Sequence, residues 1–568
     1  MSARKEWEAA FEKSGRPAVA ETTLGGVIRL PLYTEADAPE SDDAPLGVFP
    51  FTRGAANDPH LTQRVVVGRG GHDNAAILAA LEGGVRALIL DIAACTTLPD
   101  ADEFDALLAG VPLDRVPLAL SSGVFGTGAL ACLTALWEKC GHDAAALHGF
   151  ANIDPLGVAA QTESTLETDF TALAAPAAAW PHLRLLTASG AQFHALGGDV
   201  VQELAYMTAA LVFYLRRLEA AGFGLDDALQ KITLTLAADS DFFASIAKIR
   251  AARLLFANVA KAAGHPEIAP QIHCETSRRT LSTLDPELNV VRATIAALAA
   301  AVGDADWLSI APHTAIAADD TPEAQRLARN TYAILRAESH IGRTADAAGG
   351  SWYVERLTRD LAARAWEMFQ EIEKTGGLDV AIAEGRIADA LADARARCRD
   401  AFNRGDAPLV GVNAFVHAAA EMPATGDDRS FRPARDFETL RAAAYNATPK
   451  VFLANLGADF TARADFAADC YAAGGIAAVA GSGDPAAIVS EFMESGAKIA
   501  VICGSDSDYD SHAENTATAL AEAGAVHIAL AGVRRTIPAI DDCCFRGGNL
   551  RDFLRLIHRR LGLNEETS

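Results

Sequence analysis

From residue 64 onward, short apolar runs alternate with longer stretches whose apolar positions recur at helical spacing. The runs at 64–68 (RVVVG), 86–92 (RALILDI), 116–121 (VPLALS), 145–151 (AALHGFA), 183–189 (LRLLTAS), 231–237 (KITLTLA), 267–274 (EIAPQIHC) and 307–311 (WLSIA) read as eight strands. Helices are expected between most of them. Those over 199–224 and 243–264 are long and end at a glycine. Eight β/α units in succession match a closed (β/α)8 TIM barrel. An open eight-stranded sheet is the rival, and no second switch-point motif supports it.

More helix follows over 356–377. The segments FNRGDAPLVGVNAF and EMPATGDDRSFRPARDF are then rich in Pro, Gly and Asp and mark a linker. Beyond it, strands are expected at 450–456, 476–481, 498–503, 526–531 and 543–546, with helices between them and at 549–561. Five such units fit a flavodoxin-like doubly wound sheet, with its crevice at the carboxyl ends of strands one and three. The stretch LANLGADFTARADF (453–466) sits at the first of those ends. It offers Asn455, Asp459 and Thr461, but no His, Cys or Lys. The acidic GSDSDYDS (504–511) follows the third. At the other end of the chain, MSARKEWEAAFEKSG reads as an amphipathic helix with Trp7, Ala10 and Phe11 on one face. The expected organisation is therefore an N-terminal helix and arm (1–45), a barrel with trailing helices (46–400), a linker (401–446) and a doubly wound domain (447–568).

Bulk chemistry narrows the partners. The 568 residues carry a net charge of −25, which argues against nucleic acid or an anionic membrane as a general partner. Nine scattered cysteines form no CxxC motif and no Cys/His cluster, so neither zinc nor a disulfide framework is expected. With reduced thiols, no apolar span and an N-terminus unlike a secretory or transit signal, the chain reads as cytoplasmic. His273 and His313 fall near strand ends on the face where barrels place their sites. Each is read more readily as a hydrogen-bonded structural histidine. Arg250 and Arg292 lie in helices, where packing ion pairs are the ordinary role. The GSDSDYD carboxylates lack EF-hand spacing and read as a solvated loop. GVRRTIP (532–538) is a basic turn open to docking.

Several motifs are similar to those of one family. RLPLYTEAD (29–37), GVFPFTRG (47–54), ELAYMTAALVFYLRRLEAAG (203–222), AKIRAARLL (247–255), DPELNVVRATIAALAA (285–300) and GRTADAAGGSWYVERLT (342–358) resemble segments of the adenosylcobalamin-dependent acyl-CoA mutases. Within that family the methylmalonyl-CoA mutases are nearest. The resemblance covers roughly 25–400 and 447–565, and it implies the same barrel followed by a cobalamin-type flavodoxin-like domain. It also implies which groups are missing. The family's catalytic chains hold cobalt through the histidine of a DxHxxG loop, which an aspartate orients and an upstream lysine supports. The matching positions here are Asn455 for the lysine, Asp459, Thr461 for the histidine and Ala464 for the glycine. In the barrel, TASGAQFHALGG places Gln192 where catalytic chains carry a substrate-facing histidine, with His194 two residues on. The substrate-covering segment after the FTRG motif is absent, and GFANIDPLGVAAQ lacks the family's substrate-pairing arginine.

The resemblance thus implies a non-catalytic small subunit in a heterodimer with a homologous catalytic large subunit. That assembly would interconvert (R)-methylmalonyl-CoA and succinyl-CoA. The partner would bind the holoenzyme's adenosylcobalamin, the N-terminal arm would wrap the partner, and a GTPase chaperone would attend the assembly. Two other readings remain: an autonomous acyl-CoA mutase with altered cobalt ligation, and a ligand-sensing regulatory module.

Overall fold

A computed structural model of the chain describes residues 3–14, 22–39, 44–55, 59–68, 73–93, 95–141, 143–162, 168–317, 321–416, 426, 430–532 and 534–563. The chain divides into two compact units. The first comprises Met1–Arg279, Val290–Ala315 and Asp320–Ala394, and the second Thr280–Asn289, Ile316–Asp319 and Arg395–Ser568.

The first unit begins with the helix Ala3–Lys13 and a hairpin of β1 (Thr22–Leu24) and β2 (Val27–Arg29). Eight strands follow: β3 (His60–Val66), β4 (Ala87–Asp91), β5 (Leu118–Ser121), β6 (Gly149–Ile153), β7 (Leu183–Ser189), β8 (Ile232–Ala238), β9 (Ile272–Thr276) and β10 (Trp307–Ser309). They run parallel and close through the β10–β3 pair, so the structure is a barrel and not the open sheet. Side chains alternate across the strands as the pleat requires. Leu88 and Leu90 of β4 pack outward on the helices, while Ala87 and Ile89 join Ala119, Phe150 and Trp307 in a separate interior cluster. Phe150 meets Trp307 edge-on, 4.4 Å between ring centroids, and fills the barrel interior.

β3 begins four residues before its apolar run, and two strands begin four and five residues after theirs. Residues 144–146 form a 3-10 turn capped by Asp143, so β6 starts at Gly149. Pro270 offers no N–H to a ladder, so β9 starts at Ile272, whose N–H is taken by Asp306 Oδ2 at 2.8 Å. Gly149 is required where it stands, because a Cβ there would overlap the Leu118 carbonyl oxygen. Gly149→Ala should therefore lower the urea midpoint by the equivalent of about 1–3 kcal/mol. An unchanged midpoint would show that β5 and β6 can separate freely.

The helix Val200–Ala220 is buried on nearly all sides, between the barrel and the helices Phe242–Ala262 and Trp352–Lys374. Asp199 and Gln202 form its capping box, and Gly222 at φ +95° follows its end. The GGSWYVE motif opens the Trp352–Lys374 helix, with Ser351 as its cap.

The second unit is a parallel sheet of β11 (Lys450–Asn455), β12 (Ala477–Ser482), β13 (Ile499–Cys503), β14 (His527–Ala531) and β15 (Asp542–Cys544). Its spatial order is β12-β11-β13-β14-β15, the flavodoxin-like 2-1-3-4-5. Within 401–446, Arg435–Tyr445 is a helix whose Phe437 and Leu440 pack with Val451 and Leu453 in the unit's core. Among the described residues no helix is long and apolar enough to cross a membrane.

Candidate functional site

Both architectures place ligands at the carboxyl ends of their strands. In the barrel this end holds a cavity of about 240 Å³. Arg64 of β3 stands in its wall, with Nη1 2.9 Å from Asp91 of β4 and Nη2 2.6 Å from Glu275 of β9. Glu275, more than any other group, holds the guanidinium in its charged form. Burial, the largest single influence, works to raise the carboxyl of Glu275, but Arg64 with His273 and Arg278 together hold it below the ordinary range. Asp154, just after β6, is pushed up to about 6 by burial, against hydrogen bonds from Tyr214 Oη and the Gly157 N–H to its Oδ1. Asn152, at φ +47°, donates to the Leu120 carbonyl at 2.7 Å and accepts from Thr187.

Gln192 faces this cavity. It lies on the short helix Gly190–Ala195, its N–H donates to Ser189 Oγ at 3.0 Å, and its side-chain amide meets no partner among the described residues. His194 does not share the cavity. Two residues along a helix turn a side chain by roughly 200°, and His194 points into the core. Its Nε2 lies 2.7 Å from Ser277 Oγ and its Nδ1 3.4 Å from Glu203, which pairs with Lys248 at 2.7 Å. Burial, more than the opposing Glu203 charge, lowers the pKa of the ring. His273 is the second residue of β9 and lies inside the barrel, its Nε2 2.8 Å from Ser309 Oγ. Burial pushes its pKa down to about 4. His313 is half-buried beyond β10. Arg250 is buried and ion-paired with Asp346 and Glu355, and Arg292 is buried in the Glu287–Val302 helix.

The second crevice opens where β11 and β13 diverge from their loops. Asn455 ends β11. It is buried, and its Oδ1 has no hydrogen-bond partner. Asp459 is exposed in the loop, and Thr461 is exposed at the first position of the helix Thr461–Ala472. Ala464 is buried against the sheet. The four positions do not converge on one point that a ligand could share: two face the interior and two face solvent.

The acidic segment at 504–511 is solvated, as expected, but from Asp506 onward it is helix and not loop. Ser505 caps a helix over Asp506–Glu522, which turns the aspartates into its first turns. Asp506 lies 2.7 Å from Arg463 and 3.2 Å from Arg535, and Asp510 lies 2.5 Å from Arg535. Both guanidiniums stand over the Tyr509 ring, at 4.7 and 6.0 Å from its centroid. Arg463 also donates to the Gly504 carbonyl at 2.6 Å. The carboxylate of Asp508 closes a capping box with Ser505 beside Gly457. These side chains occupy the mouth of the crevice. All nine cysteines are free thiols.

Arg64, Glu275, Asp154 and Thr235 were not singled out from the sequence. One signal was available: Arg64 and Glu275 are lone charges within apolar strands, a position that burial penalises unless the charge has a partner.

A parallel (β/α)8 barrel with a polar cavity at its strand ends, joined to a 2-1-3-4-5 sheet, defines an α/β protein of two ligand-site architectures. The profile of one family, methylmalonyl-CoA mutase, matches residues 93–475. The chain is 36% identical over 576 residues to the methylmalonyl-CoA mutase small subunit of Streptomyces virginiae, covering 96% of this chain and 92% of that one. It is 32% identical to the small subunit of Propionibacterium freudenreichii subsp. shermanii, over 93% and 89% of the two chains. The 2-hydroxyisobutanoyl-CoA mutase large subunit of Aquincola tertiaricarbonis is 28% identical, over 73% and 82%. The chain belongs to the methylmalonyl-CoA mutase family.

Proposed function

We propose that this chain is the non-catalytic small subunit of a heterodimeric methylmalonyl-CoA mutase. It would stabilise a homologous catalytic large subunit that carries adenosylcobalamin and interconverts (R)-methylmalonyl-CoA and succinyl-CoA. The observation that carries this reading is the crevice of the second unit. Thr461, at the cobalt-ligand position, offers a hydroxyl facing solvent where the family uses an imidazole, and a neutral hydroxyl is a weak donor to such a metal. Arg463, Asp506, Arg535 and Asp510 are joined by ion pairs across the mouth that a cofactor would enter. These residues do not fit a cobalamin. The barrel supports the same reading, because its interior is packed with Phe150 and Trp307 and His194 is committed to the core.

Residues 1–45 would form the arm that meets the partner. On the Ala3–Lys13 helix, Trp7 and Phe11 stack with centroids 5.1 Å apart and remain half-exposed, an apolar face suited to burial by a second chain. A GTPase chaperone would act on the assembled holoenzyme, and nine free thiols fit a reducing cytoplasm as its setting.

The test is a titration of the purified chain with adenosylcobalamin, followed by its visible spectrum. The chain alone should give no base-off shift and no turnover. Co-expressed with a catalytic large subunit, it should co-purify in equal amounts with an active enzyme. Tight binding by the chain alone would replace this reading with an autonomous mutase or a sensor.

A further inference from the structure

The sheet of the second unit has two edges, and they differ. β15 is three residues long and begins at Asp542, two features that discourage a further strand. β12, at the other edge, runs over Ala477–Ser482, and no charge, proline or bulge interrupts it. Ala477, Ala478 and Ala480 are exposed and Val479 is half-exposed, although strands of parallel sheets are ordinarily covered.

The backbone shows what this edge offers. The Ala477 N–H donates to the Pro449 carbonyl at 2.9 Å, so Ala477, Val479 and Gly481 turn their backbone groups toward β11. The alternate residues turn theirs outward. The outward N–H of Ser482 donates to Glu491 Oε2 at 3.0 Å, from the helix Pro485–Ser495. The outward groups of Ala478 and Ala480 have no partner among the described residues.

This stretch is complementary to itself. In an antiparallel pairing centred on Val479, Ala478 of one copy stands opposite Ala480 of the other. Each such pair exchanges both of its backbone hydrogen bonds. Val479 then meets its own copy across the two-fold axis, as a self-complementary interface requires. Charge favours the same direction. Exposed Lys450 lies beside Ala477 in register, and exposed Glu491 lies at Ser482. Antiparallel copies bring Lys450 of one toward Glu491 of the other, whereas parallel copies would set lysine against lysine. A single strand edge is smaller than the roughly 1,200 Å² of a stable complex, so the pairing is reversible.

We propose that β12 pairs with β12 of a second copy of this chain, joining two second units into one continuous sheet across a two-fold axis. The proposal goes beyond the subunit reading, because it concerns copies of this chain and needs no catalytic partner.

The test is sedimentation velocity of the full chain across the micromolar range, where a concentration-dependent dimer is expected. Ala478→Pro deletes one outward N–H and leaves the β11 ladder whole. Ala480→Lys brings like charges close across the axis. Each should weaken the dimer about tenfold or more, with near-ultraviolet circular dichroism as in the wild type. Val526→Lys adds the same charge just before β14, away from this edge, and should leave the dimer intact. Cross-linking under mild oxidation reads the register. Val479→Cys should give a covalent dimer, and the wild type and Ala477→Cys should not. A chain that stays monomeric, a dimer that survives both edge variants, or equal cross-linking of Val479→Cys and Ala477→Cys would overturn the proposal. So would an edge that pairs only with a catalytic large subunit.

Discussion

Lys248→Met is expected to destabilise the first unit by about 3–5 kcal/mol, the usual result of stranding a buried charge. Lys248 and Glu203 are both buried and lie 2.7 Å apart, at the interface of the Val200–Ala220 and Phe242–Ala262 helices. Glu203 also accepts the Ala237 N–H at 2.8 Å and faces His194. Burial alone would raise this carboxyl, but Lys248, with His194 in support, holds it at about 2. A carboxyl depressed in the folded state stabilises above its unfolded pKa and loses that contribution as pH falls toward the folded one. In the wild type this group therefore adds no slope between pH 5 and 8. In Lys248→Met, burial is no longer opposed by the lysine and the folded pKa rises above the unfolded value. The sign then reverses, and the variant should gain stability as pH falls from 8 to 5. Adding Glu203→Gln removes the stranded charge, keeps an acceptor for Ala237 and should recover part of the loss. Urea unfolding followed by tryptophan emission reads this directly, because all six tryptophans lie in the first unit. A loss under about 1 kcal/mol, or no benefit from the glutamine, would mean that water reaches the pair.

The eight barrel strands and the five of the second sheet were legible from apolar periodicity, because parallel strands buried on both faces read as continuous runs. Their starting points were less so. The Ala-rich 144–146 and the 267–271 stretch are apolar enough to pass for strand. Asp143 capping a turn and Pro270 lacking a donor decide the matter, and both act locally against the pattern. The site divides in a similar way. Gln192 lines the barrel cavity where the motif placed it, and helical rotation carries His194 away. Arg64, Asp91 and Glu275 meet only because β3 pairs with β4 on one side and with β10, then β9, on the other. Closure of a barrel over more than 200 residues of chain leaves no local trace in sequence. The ion pairs of Arg463 and Arg535 were equally hidden. The acidic run at 504–511 reads as loop until Ser505 is seen to cap it, and then Asp506 and Asp510 pair with the arginines while staying exposed.

Arg432→Met should act on the second unit as Lys248→Met acts on the first, at a similar cost of about 3–5 kcal/mol. Arg432 and Glu438 form a two-pronged pair at 2.6 and 2.9 Å, both buried. The same carboxylate accepts from Ser282 Oγ at 3.1 Å and from the Thr283 N–H at 3.0 Å, and Arg432 donates to the Leu281 carbonyl at 3.3 Å. The pair thus fastens the Thr280–Asn289 segment, which follows the last residues of β9 in sequence, into the second unit. Removing the guanidinium strands Glu438 and frees that segment at once. Glu438→Gln should be milder, because the amide oxygen still accepts from Ser282 and Thr283. The two units report separately. The second holds Tyr445, Tyr471 and Tyr509 and no tryptophan. In Arg432→Met the tyrosine signal in near-ultraviolet circular dichroism should be lost at lower urea, while tryptophan emission keeps its wild-type midpoint. Lys248→Met should shift the tryptophan transition instead. If both signals moved together in both variants, the two clusters would be stabilising one cooperative fold, and the anchoring of residues 280–289 would serve the whole chain and not the second unit alone.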